Sequence, residues 1–203
     1  MKTFKQYILE TEQEHHASVI PLTGFSPHSH MGHAIDLGNA LKNLPGQKHI
    51  GISSKADVFS PEERSNILHR QWQQPDLHVH VAKYAGESIS NAYNSLPEGK
   101  KHLHILVGAD RRDFAEGLKK SLEGGKIQSM GGHQWDSITI HTPEDTGRSH
   151  GMSGTKMREA VSNDDFDTYH EHLGKHIFSE EEARSHFNRV KEALNSKKIK
   201  VKR

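Results

Sequence analysis

Ala17-Ser18-Val19-Ile20-Pro21-Leu22-Thr23-Gly24-Phe25-Ser26-Pro27-His28-Ser29-His30-Met31-Gly32-His33 is the stretch whose reading decides the fold. An apolar run ends in a Gly/Ser/Pro turn, and Ile35, Leu37, Ala40, Leu41 and Leu44 then recur at helical spacing from near Gly32 until Pro45-Gly46 stops them. Strand, short loop and helix in that order open a βαβ unit. The rhythm repeats, with strands expected over residues 49–52, 77–82, 102–107 and 137–141. Helices fall between them: one from Ser60-Pro61-Glu62-Glu63 to about Trp72, one over 88–96 and one over 114–122. Ser60 before Pro61, with acids in the first turn, is a strong start because the serine oxygen can cap and the acids face the positive end of the helix dipole. The pattern predicts an α/β fold built on an open parallel five-stranded sheet with helices on both faces. A further helix starts at Ser153-Gly154-Thr155. Two amphipathic helices, marked by Phe166, Tyr169 and Leu173 and by Ala183, Phe187, Val190 and Leu194, add a C-terminal helical extension. The expected organisation is a helical leader over 1–16 (Phe4, Tyr7, Ile8), the α/β domain over 17–162, and C-terminal helices with a basic tail over 163–203.

The 203 residues carry 27 Lys+Arg against 26 Asp+Glu, a formal charge of +1, which lacks the strong positive field of sequence-independent nucleic-acid binding. Only Lys197-Lys198-Ile199-Lys200-Val201-Lys202-Arg203 is locally basic, and one short cluster makes few phosphate contacts. The apolar fraction is 32% and the mean hydropathy −0.81, yet the apolar residues sit in short runs, as in a folded chain with a very polar surface. Without cysteine there are no disulfides, thiolate metal sites or cysteine nucleophiles. No apolar stretch approaches the roughly 18 residues needed to span a bilayer, and the N-terminus lacks a secretion-signal layout, so a cytoplasmic protein without a membrane partner is expected. The 18 histidines are an unusual number. His78/His80 and His102/His104 each share a strand face, but no carboxylate or third histidine sits at a matching spacing along the chain, so they read as ordinary strand histidines and no protein metal site is expected.

In an open parallel sheet ligands bind beyond the carboxyl ends of the strands, so the loops after strands are the informative ones. In the first, His30 and His33 straddle Gly32 at a helix start, where free N–H groups and the dipole favour an anion and Gly32 lets a nucleotide approach the backbone. The helix opening at Met152-Ser153-Gly154-Thr155-Lys156-Met157-Arg158 offers two hydroxyls, amides and two cations to a polyphosphate. Cations at a helix start are disfavoured by the dipole until an anion arrives. The third is Val107-Gly108-Ala109-Asp110, whose Asp110 either lies beside a ligand or caps the next helix. No P-loop and no dinucleotide-binding glycine pattern occurs.

His30-Met31-Gly32-His33 after a Gly-Phe-x-Pro turn resembles the HxGH signature of the nucleotidyltransferase superfamily. Ser153-Gly154-Thr155-Lys156-Met157-Arg158, about 120 residues on, is similar to its second signature, SGTxxR. The likeness covers residues 17–162 and lies nearest the nicotinamide-mononucleotide and phosphopantetheine adenylyltransferases. It implies a Rossmann-like form of the sheet and transfer of AMP or CMP from a nucleoside triphosphate to a phosphorylated small molecule, with release of pyrophosphate. Lys55, before Ser60-Pro61-Glu62-Glu63-Arg64, resembles a family lysine that neutralises phosphate charge, with Arg64 structural or substrate-facing. By the same likeness Thr23, Gly24, Phe25, Gly32, Gly108 and Asp110 border the nucleotide. Ser153, Gly154, Thr155, Lys156 and Arg158 cradle its phosphates, and His30 and His33 hold and steady them. Mg²⁺ is implied as a companion of the triphosphate. ATP is favoured over CTP because Gly147-Arg148-Ser149-His150-Gly151-Met152-Ser153-Gly154-Thr155 departs from the cytidylyltransferase form of the second signature. The opening Met1-Lys2-Thr3-Phe4-Lys5-Gln6-Tyr7-Ile8 looks like the start of many tailed-bacteriophage proteins. A phage-encoded enzyme in the host cytoplasm, a virion or assembly component that keeps the fold as a scaffold, and a histidine-rich metal-binding protein all stay open. So does pairing of the C-terminal helices in a homo-oligomer.

Overall fold

The computed structural model describes residues 13–24, 28–55, 58–124, 134–143 and 152–196. The expected leader helix, Phe25, the Gly-rich loop before the fifth strand and the basic tail lie outside them. Five strands, β1 (Glu14–Thr23), β2 (Gln47–Ser53), β3 (Leu77–Ala82), β4 (Lys100–Leu106) and β5 (Ser137–His141), form one parallel sheet in the order β3-β2-β1-β4-β5. The described residues also form seven helices. α1 (31–43) opens as a short α-turn at Met31–His33, loosens into a π-helical turn at Ala34–Gly38 and closes as Asn39–Asn43. It is followed by α2 (Pro61–Trp72), α3 (Ala85–Ser95), α4 (Arg112–Glu123), α5 (Gly154–Ser162), α6 (Phe166–Leu173) and α7 (Glu180–Asn195). The Rossmann-like α/β class is therefore present. β1 and β4 flank the point where strand order reverses, the place at which such sheets take ligands.

Two compact units divide the chain: the described residues of Met1–Thr23, Ala40–Gly51 and Asp76–Glu144, and those of Gly24–Asn39, Ile52–Pro75 and Asp145–Arg203. In the first, register pairs Ala17 with Leu103 and Leu103 with Ile138, one apolar row across three strands. Ala85, Ile89 and Ala92 of α3 and Ala115 and Leu118 of α4 cover that row. The next residue back in each strand gives His16, His102 and Ser137, a polar row on the opposite face, because side chains alternate along a strand. β1 thus begins at Glu14, ahead of the Ala17 expected. Glu14-His15-His16 carries no apolar signal because this end of the strand lies at the sheet's open rim, where Glu14 is exposed.

In the second unit the C-terminal helices build their own core from Met157, Ala160, Val161, Tyr169, Leu173, Phe178, Phe187 and Val190, with Phe59 and Ile67 packed in. α2 starts as the sequence suggests. Ser60 Oγ accepts from the Glu63 N–H and a Glu63 carboxylate oxygen accepts from the Ser60 N–H at 2.8 Å, a reciprocal cap with Pro61 at the first helical position. Arg189 of α7 pairs with both oxygens of the same carboxylate and donates to the Val58 carbonyl at 2.8 Å. These contacts hold the Glu63 carboxyl down at about 2. Among the described residues no helix is long and apolar enough to cross a membrane.

Candidate functional site

The segment leading into α1 is enclosed: His28 and Ser29 are fully buried and His30 is 4% exposed. Three anchors fix it. His28 Nε2 meets the Tyr169 hydroxyl at 2.8 Å, its Nδ1 meets the Ser29 carbonyl at 2.6 Å, and Gln71 Nε2 donates to the carbonyls of Ser29 and Leu173. The rings of His30 and His33 stack with centroids 3.7 Å apart. Burial, and after it the neighbouring His33, His172 and His28, pull His30 down to about 2, and burial pulls His33 to about 4, so both are neutral at pH 7. The His30 N–H donates to His33 Nδ1 at 3.4 Å, which assigns the proton of the neutral His33 ring to Nε2 as a donor. His30 Nδ1 is buried without a hydrogen-bond partner. The π turn of α1 follows directly, a distortion often found beside functional residues.

Gly32 brings the two signatures together. A Cβ built there would stand 3.0 Å from His30 Nδ1 and 3.2 Å from Met152 Cβ, tighter than nine in ten real contacts. The loop of the first motif therefore lies against the residue that precedes the second. Ser153 caps α5, its Oγ accepting from the Lys156 N–H at 3.1 Å, and keeps its hydroxyl hydrogen free to donate. Arg158 is 9% exposed and donates to Thr155 Oγ1 at 3.1 Å, whereas the Lys156 side chain is exposed. The first turn of α5 contains no acid. Its amides and the two cations thus form a positive helix start beside Gly32, with Gly154 as the first helical residue.

Lys55 is exposed after β2. Arg64, by contrast, is 2% exposed and donates to the carbonyls of Gly24, Ser53 and Lys55 at 2.5–2.9 Å. Of the two roles open to it, the structural one is seen: it ties the chain leaving β1 to the end of β2. Thr23, Gly108 and Asp110 belong to the first unit. Thr23 Oγ1 donates to the Gly51 carbonyl at 3.1 Å. Asp110 is exposed within the 3-10 turn Ala109–Arg111 and does not cap α4, which starts from Arg111 without a side-chain cap. Helix capping thus does not account for Asp110. The second unit holds Gly24, His30, Gly32, His33, Lys55, Ser153, Gly154, Thr155, Lys156 and Arg158.

No protein-family model matches the chain, and no curated protein is significantly similar to it.

His28, Gln71, Tyr169 and His172 have positions in this site that the sequence did not announce. Gln71 and Tyr169 fall on helical apolar stripes and read there as core or surface residues. His172 bonds the Thr168 carbonyl through Nδ1, and its Nε2 is buried without a partner. The usable signal is polarity at a buried stripe position, and it needs the tertiary partner to be interpreted.

Proposed function

We propose that the chain is a nucleotidyltransferase that joins AMP, with CMP as the lesser alternative, from a nucleoside triphosphate to a phosphorylated small molecule and releases pyrophosphate. The observation that carries this is the packing of Gly32 against Met152, which sets a pair of neutral, preorganised imidazoles beside a positive helix start. The reaction is in-line attack of an acceptor phosphate oxygen on the α-phosphorus. The new P–O bond forms as the bond to the pyrophosphate oxygen breaks, and pyrophosphate departs with that electron pair. The acceptor is already ionised at pH 7, so no general base is needed, and positioning and charge neutralisation dominate.

His33 Nε2–H donates to the α-phosphate as its charge spreads. A neutral imidazole suits this, since it supplies a directed donor that holds the phosphate in the ground state and strengthens as charge builds in the transition state. His30 orients His33 by stacking and holds the triphosphate with the α1 amides. Ser153, Thr155, Lys156 and Arg158 take the outer phosphates, Lys55 bridges donor and acceptor, and Gly24 borders the nucleoside. Mg²⁺ bound to the triphosphate withdraws charge from the leaving group.

Pyrophosphate release from a panel of triphosphates and phosphorylated acceptors tests the proposal. One pairing turns over with the wild-type chain, and His33→Ala lowers that turnover on the order of 100-fold, as expected for loss of a transition-state donor. Turnover untouched by the substitution removes the proposed role of the motif.

A further inference from the structure

The polar face of the first unit's sheet carries a histidine ladder: His16 on β1, His102 and His104 on β4, and His141 on β5. His16 and His102 are register partners, stacked with centroids 4.8 Å apart. Glu14, two residues before His16, shares its face. The ladder is ordered by its own hydrogen bonds. His141 Nε2 meets His104 Nδ1 at 3.0 Å, and His104 Nε2 meets His16 Nδ1 at 3.1 Å, which leaves Nε2 as the outward atom of His16. On the other side Ser137 Oγ meets His102 Nδ1 at 2.8 Å, while His102 Nε2 is buried with no hydrogen-bond partner. In His16 and His102 one ring nitrogen is thus held by a neighbour and the other is left over, whereas His104 uses both. Metal-binding imidazoles are oriented in this way, the outer hydrogen bond fixing tautomer and ring plane.

We propose that Glu14, His16 and His102 bind one divalent transition-metal cation of the zinc class, with Ser137 and His104 as the groups that orient its imidazole ligands. Ligand atoms of the three residues already lie within 4.8 Å of one another. A zinc ion at about 2.1 Å from each ligand needs them about 3.4 Å apart, so modest side-chain rotations close the site. Two imidazole nitrogens and one carboxylate oxygen select zinc, nickel or copper over magnesium and calcium, which prefer all-oxygen shells. The exposure of Glu14 and the partial exposure of the two histidines leave the fourth position to water. The third ligand could not be found from spacing along the chain, because parallel pairing brings it from a strand 86 residues away in sequence. Further along the sheet, His49, His78 and His80 also stack, but Gln47 holds one nitrogen of His49 and His80 the other, and no carboxylate joins them among the described residues.

The test uses the full chain without a histidine tag, stripped with a chelator, and titrated with Zn²⁺ by calorimetry and with Co²⁺ by visible absorption. One equivalent of Zn²⁺ binds, Co²⁺ develops the intense bands of a four-coordinate site, and Glu14→Gln, His16→Asn and His102→Asn each weaken binding by at least about tenfold. Ser137→Ala, which removes only the hydrogen bond that orients His102, weakens it by about tenfold as well. His78→Asn/His80→Asn leaves it unchanged. The exposed Glu14 and Ser137 can be replaced without disturbing the core, so the outcome does not depend on the histidine variants folding. Absence of saturable Zn²⁺ binding, binding that survives Glu14→Gln and Ser137→Ala, or loss in the His78/His80 variant instead overturns the proposal.

Discussion

Gly32 is the position at which a single atom decides the most. Its Cα sits where one added carbon would press on His30 Nδ1 and on Met152 Cβ. Those neighbours are a buried stacked ring and the first carbon of a side chain, so neither moves cheaply. Gly32→Ala should therefore push the first loop away from the start of α5 and weaken Mg-ATP binding by about tenfold, the cost of a roughly 1.4 kcal/mol displacement. Calorimetric titration of both proteins checks this, and unchanged affinity would show that the close approach is incidental. The residue types of the site, His30, Gly32, His33, Ser153, Thr155 and Arg158, could be read from the sequence because each is a local choice at a loop or cap. The neutrality of the two imidazoles could not. It arises from burial and, for His30, from neighbouring rings as well, among them His172, which lies 142 positions beyond His30 in the chain. Arg64 likewise stays open between a structural and a substrate-facing role until its three carbonyl acceptors are seen.

Among the elements, α2 shows how local and tertiary signals reinforce each other. Ser60, Pro61 and Glu63 specify its start by themselves, and Arg189 then uses the same Glu63 carboxylate to tie α7 to that end. Ser60→Ala removes the acceptor for the Glu63 N–H and should cost about 1 kcal/mol in denaturant unfolding. A change under about 0.3 kcal/mol would mean that the Arg189 contact holds the helix end without the cap. Periodicity located β3, β5 and the body of each described helix because their apolar residues recur at 2 or 3.6 positions. It placed the starts of β1 and α3 three residues late, since Glu14-His15-His16 carries no apolar alternation and α3 begins from Tyr84 without a side-chain cap. The π turn in α1 left no mark on the pattern: over Ala34–Gly38 the buried residues are Ala34 and Gly38, neither of them among the apolar positions that helical spacing picks out.

At the scale of the whole molecule, buried neutral histidines make stability depend on pH. His30 is held at about 2, His49 at about 3 and His33 and His104 at about 4, against 6.5 for a free imidazole, in each case first by burial. Between these values the unfolded chain binds protons that the folded chain refuses. Stability is therefore complete above about pH 6.5 and falls as pH drops toward 4, by about 2 kcal/mol at pH 5 for each of His30 and His33. Glu63 and Glu182, both held at about 2, add their loss only below about pH 5, so the interval from 7 to 5 reports the histidines. The thermal midpoint should drop clearly over that interval, and a flat or rising midpoint would contradict the burial of these rings. Fold class was legible at this scale because strand and helix alternate regularly, whereas the histidine ladder was not, because sheet register is absent from chain spacing. The central claim, one triphosphate site built from two distant loops, is tested most directly by calorimetric binding of Mg-ATP to the wild type, His33→Ala, Arg158→Ala and the double variant. The account predicts one bound nucleotide per chain, weakened by each single change, with a coupling of at least about 0.5 kcal/mol between them. Absence of nucleotide binding, or losses that add independently, would contradict it.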